Sequence, residues 1–260
     1  KIQLNEESLW AGMRIEDADA EVREYLPIIQ KKLLTGEVKE AAELSEKYLR
    51  SNPMRIRSYQ PLGDIYIDMP DTFRSMPESL SYRRELNLET GIATTTWSYE
   101  GITFTREVFA SAPDNIIVLR IASSQPGKLT FKLSLSRTQD AVVMPISENE
   151  LIMTGQIVDL TAREAGPSGL HMKFSAILHG KIKDGAFHTV NNSFYVEQAT
   201  ESVFYFTAAT DYNPSLLNFD GTIDPVKKCS EIMSLVKNKP FETVKSAHIV
   251  EHSSMFNRVH

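Results

Sequence analysis

Apolar residues recur along this chain with two different periods, and the change of period divides the chain into three parts. Between about residues 17 and 51 they recur every three or four positions, as on one face of a helix, and Gly36 stands where a first helix would end. The pattern therefore predicts a helical hairpin over about 17–51. Its two apolar stripes are Val22, Tyr25, Leu26, Ile29 and Leu33, followed by Val38, Ala41, Ala42, Tyr48 and Leu49.

From Tyr59 to about Asp211 the period falls to two and turn signals recur, which is typical of antiparallel strands. The clearest prediction is a hairpin with a two-residue turn at Glu100-Gly101, in which Trp97 faces Phe104 across the strands. Its other face is polar, so that face meets either water or a polar partner. Alternation predicts two more half-buried strands. They carry Leu129, Phe131, Leu133 and Leu135, and Leu170, Met172, Phe174, Ala176 and Leu178.

The segment from Val203 to Ala209 is apolar on both sides, which favours a central strand covered on both faces. Because many strands follow one another with no helix between them, we predict a mainly β fold. It is a large antiparallel two-sheet β-sandwich with the helical hairpin inserted near the N-terminus and with C-terminal linker helices. We assign residues 1–220 to the sandwich and 221–260 to the linker.

Two helices are predicted after the strands. Asp224 and Pro225 are typical of an N-cap and a first helical turn, and Cys229 fits the apolar stripe of that helix as a small buried hydrophobe. A second helix begins at Pro240, and its apolar stripe has no evident partner in the chain. We expect this stripe to be exposed and to cause fraying or self-association. It comprises Phe241, Val244, His248, Met255, Phe256 and Val259.

Composition excludes several classes of protein. The 260 residues are 42% apolar and 24% charged, as in ordinary globular domains, and the net charge of −6 makes nucleic acid an unsuitable partner. No apolar run reaches the length of about 20 residues that a membrane helix needs. A single cysteine excludes an internal disulfide and a four-cysteine metal site. Motifs of serine hydrolases, zinc proteases and phosphate loops are also missing from the sequence.

Five strings in this order and spacing are more specific, and they cover nearly the whole chain. Together they resemble the N-terminal domain of glycoside hydrolase family 95, whose best known activity is α-L-fucosidase. Both ends of the chain interrupt an element, so we expect one module of a longer enzyme. The strings are Ile2 to Trp10, Tyr59 to Asp64, Tyr82 to Leu88, Arg106 to Asp114 and Phe256 to Val259.

The resemblance implies an N-terminal β-sandwich, a helical linker and an (α/α)6 barrel that holds the catalytic groups and hydrolyses α-L-fucosyl linkages. It therefore implies no catalytic residue, metal or cofactor in this chain. The expected partners are the barrel of the same polypeptide and, for the full-length enzyme, fucosylated glycans, with a periplasmic or secreted location. The family pattern has a further strand before the first string. Since that strand is absent, residues 1–9 are expected to lack a strand partner.

Three residues are candidates for the rim of a sugar pocket that the barrel would complete. Asn5 and Glu6 are polar groups at a sheet edge, with hydrogen bonding in a turn as the alternative. Trp10 follows them and either stacks on a sugar ring or packs in the core, which is the commoner place for tryptophan. Any two of Asp64, Asp68 and Asp211 are candidates for an inverting carboxylate pair, whereas turn capping is the favoured role for each.

Two other functions are alternatives to a module of an α-L-fucosidase. A stand-alone carbohydrate-binding module would need a row of exposed aromatic side chains, whereas most aromatic residues here alternate inward. The equivalent domain of a related barrel enzyme, such as an α-L-galactosidase or a disaccharide phosphorylase, fits the same pattern.

Overall fold

The computed structural model describes residues 1–15, 20–50, 57–70, 81–160 and 166–259. The mainly β prediction is confirmed, because fifteen strands and four α-helices make up the described chain. The strands are β1 (Ile2–Leu4), β2 (Gly63–Asp68), β3 (Tyr82–Asn87), β4 (Ile92–Tyr99), β5 (Ile102–Ser111), β6 (Ile116–Ser123), β7 (Leu129–Ser136), β8 (Ala141–Ser147), β9 (Glu150–Asp159), β10 (Gly169–Lys183), β11 (Ala186–Val190), β12 (Ser193–Ala199), β13 (Glu201–Thr210), β14 (Tyr212–Asn213) and β15 (Asn218–Phe219). The helices are α1 (Ala20–Leu34), α2 (Val38–Tyr48), α3 (Pro225–Val236) and α4 (Phe241–Phe256).

Two large antiparallel sheets form the sandwich. The smaller has five strands in the order β1-β2-β7-β12-β11, and the larger has eight in the order β3-β4-β5-β6-β13-β10-β9-β8. A small separate ladder joins β14 to β15. The expectation that residues 1–9 lack a strand partner is wrong, because β1 pairs with β2 from Ile2 opposite Ile65 to Leu4 opposite Gly63.

The main core lies between the two sheets and consists of the inward residues of alternating strands. Leu133 and Leu135 of β7 are fully buried there, as are Leu178 of β10 and Phe194 of β12. Burial of this apolar surface supplies the chief driving force for folding. The predicted alternation of β7 is therefore confirmed.

The predicted hairpin of β4 and β5 is also confirmed, with Tyr99 opposite Ile102 and Trp97 opposite Phe104. The rings of Trp97 and Phe104 stack with centroids 5.4 Å apart in the core. At the turn, Glu100 and Gly101 both have positive φ angles, which suits a tight two-residue connection.

The central position predicted for Val203 to Ala209 is confirmed, because β13 lies between β6 and β10. The half-buried character predicted for β10 is wrong, since Ser175 and Ile177 on its second face are buried as well. Helix α3 covers that face. Leu170 is 62% exposed because a register shift between Leu170 and Lys173 reverses the alternation.

Helix α3 begins as predicted. The Asp224 carboxylate accepts hydrogen bonds from the backbone N–H groups of Val226 and Lys227, and Pro225 occupies the first turn. Cys229 is fully buried against β10, where its thiol donates to the carbonyl oxygen of Ser175 at 3.3 Å. Burial raises the pKa of Cys229 to about 12, so the thiol is inert.

The prediction that the stripe of α4 lacks a partner is wrong for its first half. Phe241 and Val244 are buried in a second apolar cluster, on the outer face of the larger sheet, and His248 is also buried. The His248 ring stacks on Phe109 of β5 with centroids 4.7 Å apart. The second half of the stripe is exposed to solvent, as the exposed fractions of Met255 (45%) and Val259 (84%) show.

Charged groups extend this contact between α4 and the polar outer face of the β4–β5 hairpin. Lys245 of α4 donates to Glu107 of β5, which also accepts from Arg120 of β6 at 2.9 Å. Arg120 donates in turn to Glu201 at 2.6 Å. The polar partner that the sequence left open is therefore a helix of the same chain.

The helical hairpin forms within the predicted limits, and residues 16–19 and 51–56 lie outside the described part. Ile29 and Ala41 are buried between the two helices, and the rings of Tyr25 and Tyr48 stack with centroids 3.5 Å apart. Leu33 of the predicted stripe is 52% exposed, however. Among the described residues, none of the helices is long and apolar enough to cross a membrane.

Candidate functional site

A cleft of about 590 Å³ opens between the N-terminal turn, the end of β13 and helix α3. This volume falls in the range of about 300–1,000 Å³ that small-molecule sites span. The floor is made of small residues of β13, and the walls carry carboxylate, hydroxyl, amide and ammonium groups. The lining residues are Glu6, Glu7, Ser8, Asn115, Ala208, Ala209, Thr210, Tyr212, Lys228, Glu231, Ile232 and Leu235.

The N-terminal wall is a compact turn held by the side chain of Glu6. Its Oε2 accepts hydrogen bonds from the backbone N–H of Ser8 at 2.9 Å and from the Ser8 hydroxyl at 2.7 Å. The Ser8 hydroxyl also lies 2.5 Å from that of Thr210, and Tyr59 donates to the Glu6 carbonyl oxygen at 2.9 Å. These bonds join the turn to β13 and leave Glu6 Oε1 without a donor among the described residues.

The opposite wall is the side of α3 next to its buried stripe. Lys228, Glu231, Ile232 and Leu235 follow one another at helical spacing and so share this side. The Lys228 ammonium reaches across to the carbonyl oxygen of Thr210 at 3.4 Å. Among the described residues, the Glu231 carboxylate has one long ion pair, 4.0 Å from Lys227, and the side chain is 65% exposed.

The structure separates the three residues predicted from the sequence. Glu6 lines the cleft, whereas Asn5 is exposed and outside the lining. Trp10 also lies outside it. Its indole N–H donates to the Glu7 carbonyl oxygen at 3.2 Å, and its ring packs edge-on against Tyr59 at 5.3 Å. The core-packing alternative for Trp10 is wrong because the residue is 42% exposed.

Asp64 and Asp68 do not form the geometry of an inverting pair. Asp64 and Asp68 share one face of β2, and four residues of a strand separate them by about 13 Å, beyond the roughly 6.5–9.5 Å required. Asp211 belongs to the segment after β13, at the larger sheet. Its buried carboxylate accepts the Lys173 backbone N–H at 2.9 Å, so Asp211 has a structural role.

Sequence reasoning did not identify Lys228, Glu231, Thr210 or Tyr212 as neighbours of Glu6. The sequence did contain one signal for the α3 wall, namely the polar residues that lie beside the apolar stripe of this helix. Such a polar face is most often solvated, however, and nothing local indicates that an N-terminal turn lies opposite it. The cleft exists only through tertiary contacts such as that between Ser8 and Thr210.

The sandwich with helices on its outer face belongs to a known class of protein, the N-terminal domains of glycoside hydrolases. Its sequence matches the model described as "Glycosyl hydrolase family 65, N-terminal domain" over residues 1–215. The chain therefore belongs to that family. The matched family is 65, whereas the sequence strings resembled family 95.

Two curated relatives carry fucosidase names. The chain is 28% identical to "Alpha-L-fucosidase 2" of Arabidopsis thaliana, over 99% of this chain and 32% of the relative. It is 24% identical to "Probable alpha-fucosidase A" of Aspergillus niger (strain ATCC MYA-4892 / CBS 513.88 / FGSC A1513), over 77% of this chain and 25% of the relative. The chain thus spans about a third or less of the length of either.

Among solved structures, a "Putative kojibiose phosphorylase from human microbiome" is similar with a TM-score of 0.45 and 12% identity. The match covers 73% of this chain and 27% of that one. A likeness of this degree supports no functional argument.

Proposed function

We propose that this chain is the non-catalytic N-terminal β-sandwich module of an α-L-fucosidase of the family 95 type. Hydrolysis of α-L-fucosyl linkages would then be carried out by an (α/α)6 barrel elsewhere in the same polypeptide. The observation that carries the proposal is the match to "Alpha-L-fucosidase 2", which extends over 99% of this chain. Fucosylated glycans are the corresponding substrates.

The geometry of the described acidic residues supports a non-catalytic role. An inverting glycosidase needs one carboxylic acid that keeps its proton near neutral pH, and burial is the usual means. Glu231 in the cleft has a side chain that is 65% exposed, so it lacks the burial on which such an acid relies. Glu6 is fixed by two hydrogen bonds from Ser8, as expected of a structural turn.

The proposal assigns different roles to two parts of the chain. Residues 1–220 would form the module, and residues 221–260 would lead into the barrel. Asn5, Glu6 and Trp10 would border the sugar pocket that the barrel completes. The 42% exposure of Trp10 supports this, because an accessible indole face can stack on the C–H groups of a sugar ring.

The test compares the 260-residue chain with the longest polypeptide that its gene encodes. Both are assayed with an aryl α-L-fucoside and with 2′-fucosyllactose. We expect turnover by the longer polypeptide and none by the 260-residue chain, because the general acid and the water-activating groups are absent from it. Saturable turnover by the 260-residue chain that is abolished by Asp64→Asn or Glu231→Gln would refute the non-catalytic role.

The same assay separates the alternatives. An aryl α-L-galactoside tests for galactosidase activity, and kojibiose with inorganic phosphate tests for a phosphorylase. Preference for either over the fucoside by the longer polypeptide would overturn the fucosidase assignment. A gene that encodes no further domain, together with glycan binding by the chain, would favour the stand-alone carbohydrate-binding module.

A further inference from the structure

The cleft between the N-terminal turn and α3 has the features of a ligand site, and apart from Glu6 its lining residues have no part in the proposed function. We propose that it binds a neutral saccharide of one or two rings. The proposal does not depend on fucosidase activity, because it concerns recognition by this chain alone. Its evidence is the arrangement of the polar groups on the two walls and of the small residues on the floor.

The two walls offer hydrogen-bond acceptors on opposite sides of a donor. Glu6 Oε1 belongs to the N-terminal wall and Glu231 to the α3 wall, while the Lys228 ammonium lies between α3 and β13. Within the described part of the chain, the Lys228 ammonium makes one long hydrogen bond, at 3.4 Å to Thr210, so two of its three N–H groups remain for a ligand. Neighbouring hydroxyl groups of a sugar can donate to the carboxylates and accept from the ammonium.

The floor complements the apolar side of a sugar ring. Ala208 and Ala209 leave room because their side chains are small, and Ile232, Leu235 and Tyr212 add apolar surface at the sides. Small-molecule sites commonly combine such an apolar surface with a few converging polar groups. The Ser8 and Thr210 hydroxyls, 2.5 Å apart, hold the N-terminal wall against β13, which forms the floor.

The charges that line the cleft restrict the chemical class of ligand that it can bind. Three carboxylates, Glu6, Glu7 and Glu231, face one ammonium, so the lining has a negative balance that disfavours phosphate or sulfate. Among the described residues, no group of three acidic, histidine or cysteine side chains is placed to hold a metal ion. A neutral polyhydroxyl ligand uses both the acceptors and the donor, and a saccharide is the polyol that suits a glycoside hydrolase domain.

The test is a titration of the ¹⁵N-labelled 260-residue chain with L-fucose, lactose and 2′-fucosyllactose up to about 10 mM, where millimolar affinities are measurable. We expect saturable shifts of the amide resonances of residues 6–8, 208–212 and 228–235. Lys228→Met and Glu231→Gln should each weaken binding about tenfold, the loss of roughly one charge-assisted hydrogen bond. Lys183→Met and Glu242→Gln are matched controls, exposed and outside the cleft, that should bind as the unmodified chain does.

The Lys228 and Glu231 side chains are both exposed, so the two cleft variants should fold. Circular dichroism verifies folding for each variant. The proposal is overturned if none of the three sugars gives saturable shifts, or if the shifts lie outside the cleft. It is equally overturned if the two cleft variants bind as tightly as the controls, or if inorganic phosphate displaces the sugar. Loss of fucosidase activity in the longer polypeptide would leave this result unaffected, so the two proposals fail independently.

Discussion

Asp211 joins two neighbouring strands at the end of the larger sheet. Its side chain is 1% exposed, and its carboxylate accepts the Lys173 backbone N–H next to the irregular register of β10. Its own N–H donates to the Lys173 carbonyl oxygen at 3.1 Å. Burial raises the pKa of Asp211, while the hydrogen bond from Lys173 opposes that rise. The carboxylate thus supplies the acceptor that the irregular ladder lacks.

Two substitutions of Asp211 separate hydrogen bonding from charge. Asp211→Ala should lower the free energy of unfolding by about 1–3 kcal/mol, because the Lys173 N–H would lose its acceptor. Asp211→Asn keeps an oxygen in place and should cost less than about 1 kcal/mol. Urea denaturation measures both. Equal losses for the two variants would show that the negative charge, not the acceptor, is what matters.

His248 should make stability depend on pH. Burial lowers its pKa, whereas contact with the Thr90 backbone opposes this. The unfolded histidine therefore takes up a proton near pH 6.5 and the folded one does not, so the free energy of unfolding falls as pH drops below about 6.5. His248→Phe keeps a ring against Phe109 and removes the titration.

The measurement is urea denaturation of the unmodified chain and the variant between about pH 7.5 and 5.5, a window that spans the unfolded histidine pKa. The loss of stability on acidification should be smaller in His248→Phe. An unchanged pH dependence in His248→Phe would contradict the interpretation.

At the scale of elements, β9 packs closely against its neighbours at Gly155. A methyl group there would overlap the Asp140 carbonyl oxygen and the Phe174 ring, both part of the surrounding sheet and core. Gly155→Ala should therefore lower the free energy of unfolding by about 1–3 kcal/mol, as overpacking does. Gly221→Ala has open space and should change it by less than about 0.5 kcal/mol. Thermal melts of the two variants that coincide would disprove the steric argument.

The helical hairpin and the central strand should differ in local stability. Helices α1 and α2 bury Ile29 and Ala41 between themselves, whereas every residue of β13 from Ser202 to Thr207 is buried. Backbone amides of the two helices should therefore exchange with solvent much faster than those of β13. Hydrogen exchange followed by mass spectrometry tests this. Similar protection of both regions would indicate that the hairpin is held by contacts beyond its own two helices.

Strands were predictable where the signal is local. Alternation in β7 and the Glu100-Gly101 turn depend on neighbours in sequence, and both predictions are confirmed. The bulge that exposes Leu170 has no local signature. The partner of the α4 stripe was missed because Phe109 lies on a strand whose other face already fills the main core, and only the tertiary fold shows that both faces are covered.

At the scale of the whole molecule, the candidate site was predicted only in part. Glu6 was identified because it leaves a sheet edge, but the lining also comes from β13 and α3, far along the chain. A single sequence gives no information about which distant polar residues meet. The two-sheet architecture was easier to predict from the sequence, since it follows from the number and the alternation of the strands.

The strand order of the smaller sheet sets the sequence of events when a ribosome makes this chain. Strands β3 to β6 are consecutive neighbours in the larger sheet and can assemble as soon as they emerge. In the smaller sheet, β7 can pair with β2 at once, but its other edge has no partner until β12 is made. Pairings so distant along the chain are slow to form and expose apolar surface during synthesis. The yield of folded protein should therefore depend mainly on translation speed and chaperone supply. It should depend less on the stability of the finished sandwich.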